Sequence, residues 1–106
     1  MTDKIVVFST ASSAEEAEKI ARGLVNERLA ACVNVVPAVR SFYRWHGKIE
    51  DSAEFLLVIK SSKAHFDALR KSLEKLHSYE VPEVIAMPVV DGAITYLNWM
   101  DGELGA

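Results

Sequence analysis

The stretch CVNVVPAVRSFYRWHGKIEDSAEFLLVIKS, residues 32–61, decides the fold. Cys32 to Trp45 is rich in valine and aromatic residues and reads as one long β segment, interrupted at Pro37. His46-Gly47 supplies a turn, and Ile49 to Ser61 returns as a second long strand, so the two form an extended hairpin. At about 3.3 Å per residue the first arm can extend roughly 45 Å. A helix of about fifteen residues covers only about 22 Å. The outer half, from Arg40 to about Asp51, therefore overhangs any core that such helices can build. It carries Phe42, Tyr43 and Trp45, which need cover from a neighbouring subunit.

Working outward, Lys4–Thr10 reads as a strand. A helix then begins at Ser12 or Ser13, where either Ser12 with Glu15 or Ser13 with Glu16 makes a capping-box pattern. Ala14, Ala17, Ala21, Leu24 and Val25 recur along it at helical spacing. After the hairpin, Lys63 to His77 is helical, with Phe66, Leu69, Leu73 and Leu76 on one face. Glu83 to Val90 is a last strand introduced by Pro82, and Asp91-Gly92 turns the chain into a short helix over Ile94 to Met100. The order β-α-β-β-α-β is the split pattern of an α+β, ferredoxin-like sandwich. Right-handed crossovers then predict an antiparallel sheet in the spatial order four-one-three-two, as one domain over residues 1–106. The second strand becomes an edge, where Pro37, which cannot donate to the ladder, is tolerated.

One copy is not enough to bury this sheet. Phe55, Leu57 and Ile59 point to one face and Leu56 and Val58 to the other. Ile5 and Val7 likewise oppose Val6 and Phe8, and Val84 and Ala86 oppose Ile85 and Met87. Two helices cover only one face, and the apolar patch left on the other exceeds what a monomer normally exposes. The pattern predicts a homo-oligomer without fixing the number of subunits.

Composition bounds the function. The 106 residues are half hydrophobic and one quarter charged, which is globular composition. The net charge of −3 offers no basic stripe for nucleic acid. The apolar runs are too short to cross a bilayer, and the N-terminus lacks the extended apolar run of a signal peptide. The single cysteine fits a reducing, cytoplasmic compartment.

Candidate chemistry is sparse. No Gly-rich phosphate loop, nucleophile elbow or His-Glu-x-x-His motif is present, and Ser9–Ser13 lacks the arginine-bearing cradle of an acylphosphatase, which argues against an enzyme. His77, after the second helix, can serve the helix C-terminal dipole or, with Glu80, Glu83 and Asp91 near in sequence, a weak site for a borderline divalent ion. Cys32 reads as a small buried hydrophobe. Lys60 ends an apolar strand and must snorkel or find an anion. Tyr79 needs a partner for its hydroxyl. Cys32, Lys60 and Tyr79 together are the candidates for an anion-binding cleft between subunits, whereas His46 and His65 read as solvated.

Four motifs carry a resemblance. Leu29-Ala30-Ala31-Cys32-Val33-Asn34, Tyr43-Arg44-Trp45-His46-Gly47-Lys48, His77-Ser78-Tyr79-Glu80-Val81-Pro82-Glu83 and Tyr96-Leu97-Asn98-Trp99 are similar, in order and over nearly the whole chain, to the CutA family. The resemblance implies a homotrimer assembled like the PII regulatory proteins, and a role in divalent-cation tolerance, chiefly copper, by binding rather than catalysis. Some bacterial members have assigned metal ligands at a cysteine ending the first strand and at two adjacent histidines after the second helix. This chain has Ser9 and Leu76-His77 there, so only His77 carries over. The alternatives are a PII-like small-molecule sensor and a trimeric scaffold without a ligand. The tight His46-Gly47 turn offers none of the long signalling loop a PII protein uses.

Overall fold

The computed structural model describes residues 1–105; Ala106 lies outside the described residues. Strand β1 (Lys4–Ala11) is followed by helix α1 (Ala14–Asn26), the hairpin strands β2 (Cys32–Trp45) and β3 (Lys48–Ser62), helix α2 (Phe66–Leu76), strand β4 (Ile85–Pro88) and helix α3 (Ile94–Glu103). A single 3-10 turn, Lys63–His65, leads into α2. The four strands form one antiparallel sheet in the order β2-β3-β1-β4, the predicted order. No described helix is long and apolar enough to cross a membrane.

Local chemistry explains the boundaries. Ser13 caps α1, its Oγ accepting the Glu16 N–H at 3.1 Å, which selects one of the two capping frames in the sequence. The helix buries a narrow stripe, Ala17, Ile20 and Leu24, while Ala14 and Val25 face solvent, so the apolar face is narrower than composition suggested. Strand β4 is shorter than the expected Glu83–Val90. It ends at Pro88, which has no N–H to continue the ladder. On the edge strand β2 the register slips between Val36 and Val39, with Pro37 in the bulge and Ala38 at φ 64°. At the hairpin tip His46 (φ 50°) and Gly47 (φ 79°) both occupy the left-handed region, as a two-residue turn between paired Trp45 and Lys48 requires.

Parity along the strands divides the sheet into two faces. Val7, Leu57 and Ile59 meet Ile20 and Leu24 of α1 and Leu69 and Leu73 of α2, all fully buried, and this is the main core. The opposite face carries a row Cys32–Lys60–Val6–Met87, then Asn34–Val58–Phe8–Ile85, then Val36–Leu56–Thr10, each row read across cross-strand partners. Helix α3 borders this face where Asp101 meets Lys4; across the rows Val36, Ile85 and Met87 are exposed, Val6, Phe8, Leu56 and Val58 are half-buried, and Thr10 is buried. The molecule measures 44 × 25 × 23 Å, its long axis matching the span expected of the hairpin.

Helix α3 is held against β1 and the turn after α1. The buried Lys4 ammonium bridges Asp3 at 2.5 Å and Asp101 at 2.7 Å. Arg28, at φ 60°, donates to the carbonyls of Gly102 and Glu103. His65, expected to be solvated, instead bonds Ser62 Oγ through Nδ1 and the Gly105 carbonyl through Nε2.

Candidate ligand cleft

The same parity that leaves one sheet face open also builds a cleft at its outer end. Beyond the bulge, Val39, Ser41, Tyr43 and Trp45 pair with Glu54, Ser52, Glu50 and Lys48, and they continue the open face onto the overhanging hairpin. The loop between α2 and β4 rises beside them. Between the two lies a cleft of about 690 Å3, lined by Tyr43, Trp45 and Glu54 from the hairpin and by Tyr79, Glu80 and Glu83 from the loop, with Phe42 and Thr10 at its margins.

Glu54 is the inner wall. It is only 4 % exposed, and Tyr79 Oη donates to its Oε2 at 2.5 Å. Among the described residues Glu54 forms no salt bridge. Burial, and then the bond and charge of Glu54, push the Tyr79 phenol well above its usual range, so Tyr79 stays a donor at any ordinary pH. Glu80 and Glu83 are exposed at the rim. None of the cleft-lining side chains is a lysine, arginine or histidine, and three of them are glutamates. The field in the cleft therefore favours positive charge.

His77 stands behind the loop, not in the cleft. Its side chain is fully buried, Nε2 donates to the Thr10 carbonyl at 2.6 Å, and Nδ1 accepts the Tyr79 N–H at 3.0 Å. Both ring nitrogens are thus spent on the fold, and neither offers a lone pair to an ion. In this arrangement His77, at the C-terminal end of α2, holds the loop in place and turns neither nitrogen to the cleft. Among the described residues no three of His, Cys, Asp and Glu converge as ligands. The expected set of His77, Glu80 and Glu83 does not meet, and only its two glutamates reach the cleft. The donor set that remains is oxygen alone and does not fit a tight site for a soft or borderline metal.

The other expected trio is also divided. Cys32 and Lys60 are cross-strand partners, with Lys60 Nζ 3.9 Å from the Cys32 sulfur and bonded to Asn34 Oδ1. Tyr79 meets Glu54, six positions nearer the hairpin tip on β3. Phe42, Tyr43 and Trp45 all lie on the overhang, each more than a third exposed.

Glu16 is a further anchor of the loop. Its carboxylate accepts the Ser12 N–H and hydroxyl and, through its other oxygen, the Ser78 N–H at 2.8 Å. Burial pushes the Glu16 carboxyl up, but the bonds from Ser12 and Ser78 outweigh it and hold the carboxyl down at about 2.

The chain matches the family model described as CutA1 divalent ion tolerance protein over residues 5–103. The chain belongs to the CutA1 family. Across 94% of its length it is 44% identical to the divalent-cation tolerance protein CutA of Thermus thermophilus, covering 97% of that protein. The crystal structure of CutA from Xylella fastidiosa superposes with a TM-score of 0.96 at 44% identity, over 98% of this chain and all of that one. The structure titled periplasmic divalent cation tolerance protein CutA from Archaeoglobus fulgidus gives 0.92 at 39% identity, over 94% and 97% of the two chains. At these TM-scores the fold of this chain is shared with its CutA1 relatives over nearly the whole length.

Proposed function

We propose that this chain is a non-catalytic homotrimeric binding protein of divalent-cation tolerance, which meets its cations weakly at the rim carboxylates Glu80 and Glu83. The observation behind this reading is the lining of the cleft: glutamates and aromatic rings with no basic side chain. Such a surface concentrates cations without coordinating them tightly. Copper is the ion the resemblance favours. With His77 committed to the fold, Cu2+ binding here rests on oxygen donors and is correspondingly weak. The homotrimer rests on the uncovered apolar face and on the overhanging aromatics. The single cysteine supports a cytoplasmic setting, and the reading needs neither nucleic acid nor a membrane.

The test is calorimetric titration of metal-stripped protein with Cu2+, Zn2+ and Mn2+, alongside light scattering. Weak binding that is lost in Glu80→Gln/Glu83→Gln and kept in His77→Ala supports the cleft as the site. Binding lost only in His77→Ala would move the site to the loop anchor. Heat released by small organic anions and by no metal would replace cation binding with a PII-like sensor. No heat from either would leave a trimeric scaffold. Light scattering should give three times the 11.7 kDa chain mass.

A further inference from the structure

Apart from Lys48 and Glu50 out on the overhang, the open face carries two charges that its own chain leaves uncompensated. Glu54 is a carboxylate 4 % exposed whose described partner is one neutral phenol, Tyr79. Lys60 stands in a row with Val6 and Met87, and its described partners are Asn34 Oδ1 and the Cys32 sulfur. Neither forms a salt bridge among the described residues. Both lie on β3, and the even positions Glu54, Leu56, Val58 and Lys60 share one face of that strand. Six positions at about 3.3 Å separate them by about 20 Å, beyond the joint reach of the two side chains. They cannot pair within one chain.

The rows between them are mostly apolar: Phe8, Val58, Ile85, Leu56 and Val36, with Asn34 and Thr10 as their polar members. Whatever covers these rows also takes water away from Lys60 and from the mouth of the Glu54 cleft. Desolvating either charge alone is costly, whereas desolvating the two against each other is tolerated. One face that carries a cation at one end and a buried anion at the other, with an apolar stretch between, is complementary to a second copy of itself.

We propose that the partner subunit's Lys60 enters the cleft of this chain and pairs with Glu54, so that each Glu54–Tyr79 site is completed in trans. The inference rests on the homotrimeric reading above and adds the contact that sets the subunits in register. Each copy gives one lysine and receives one. The cleft becomes a composite site, with its aromatic wall and carboxylates from one subunit and its single cation from the next. Glu80 and Glu83 remain at the rim, free for cations.

The experiment uses the full chain and four variants: Glu54→Lys, Lys60→Glu, Glu54→Gln and Lys60→Gln. Each charge reversal puts like charges across the contact, and assembly should then need at least about thirtyfold more protein, read by light scattering on dilution. Mixing the Glu54→Lys and Lys60→Glu chains should partly restore assembly at concentrations where each alone is dissociated, because two of the three contacts in a mixed trimer then join opposite charges and one still joins like charges. A contact within one chain cannot be rescued by mixing. If a reversal fails to fold, judged by far-ultraviolet circular dichroism, the neutral pair serves instead. Glu54→Gln and Lys60→Gln should each weaken assembly, and the double variant should be no weaker than the worse single one. A trimeric wild type with fully additive neutral variants, or reversals that assemble like the wild type, would overturn the pairing and leave the trimer standing. A monomeric wild type would overturn both.

Discussion

Glu16 Oε2 accepts the backbone N–H of Ser78 at 2.8 Å, which ties the start of α1 to the loop after α2 across 62 positions of sequence. The carboxyl sits at about 2 against 4.5 for a free glutamate, so the folded state favours its charged form. Stability from this bond is fully present above pH 4.5 and is lost as the pH falls from there towards 2. The shift corresponds to stabilisation on the order of 3 kcal/mol. Glu16→Gln keeps an acceptor but loses the charge, and it should cost about 1–2 kcal/mol at pH 7. The difference from the wild type should shrink to near zero at pH 2, as measured by urea unfolding across that range.

Ala38 holds φ 64° in the β2 bulge, a conformation that costs a residue with a Cβ about 1–2 kcal/mol. Glycine removes that cost but gains freedom in the unfolded chain. Ala38→Gly should therefore stabilise the protein, by about 0.5–1 kcal/mol. A lower midpoint in thermal or denaturant unfolding would show that the Ala38 methyl group contributes more than the strain takes away.

Much of this was legible in the residues. The hairpin could be read because Pro37 and His46-Gly47 punctuate a run of β-formers, and its length follows from counting. The strand order followed because crossover handedness leaves few alternatives. The Glu54 site was not seen, although its signal was present: a glutamate in parity with Leu56, Val58 and Lys60 is an acid on an apolar face. The placement of His77 could not be read. Its partners are a main-chain carbonyl on β1, 67 positions away, and a main-chain N–H two positions on, and no side-chain pattern announces such bonds. The narrowness of the α1 stripe depended on how closely α1 and α2 approach the sheet, which periodicity does not report.

Tyr79→Phe removes the hydroxyl that serves Glu54 and leaves a buried carboxylate without that donor. The expected loss is about 1–3 kcal/mol in urea unfolding, because the acceptor keeps its desolvation cost. Ultraviolet titration offers an independent check. Tyr79 should ionise well above the usual phenol value of 10.0. A folded pKa raised in this way stabilises the protein below pH 10, and that contribution is lost as the pH climbs towards the folded value. Ionisation of Tyr79 at the usual phenol value would mean that Glu54 is hydrated and that the Tyr79 bond is transient.

Trp45→Ala should weaken assembly more than it disturbs the fold of one chain. Trp45 lies on the overhang, paired with Lys48 beside the turn, and it packs edge-on against His46 at 4.7 Å between ring centres. Neither α1 nor α2 contributes to the core at that end of the hairpin. Its indole is 37% exposed in the single chain, and that area is what a neighbouring subunit would cover. Truncating a tryptophan buried at an interface commonly costs about 2 kcal/mol or more, which is about thirtyfold in a dissociation constant. Two measurements separate the effects. Dilution followed by light scattering reads assembly, and far-ultraviolet circular dichroism at low concentration reads the chain itself. A large shift in the first with little change in the second places Trp45 in the subunit contact. An unchanged dissociation midpoint would mean that the overhang stays in water, and the case for a neighbour over Phe42 and Tyr43 would fall with it.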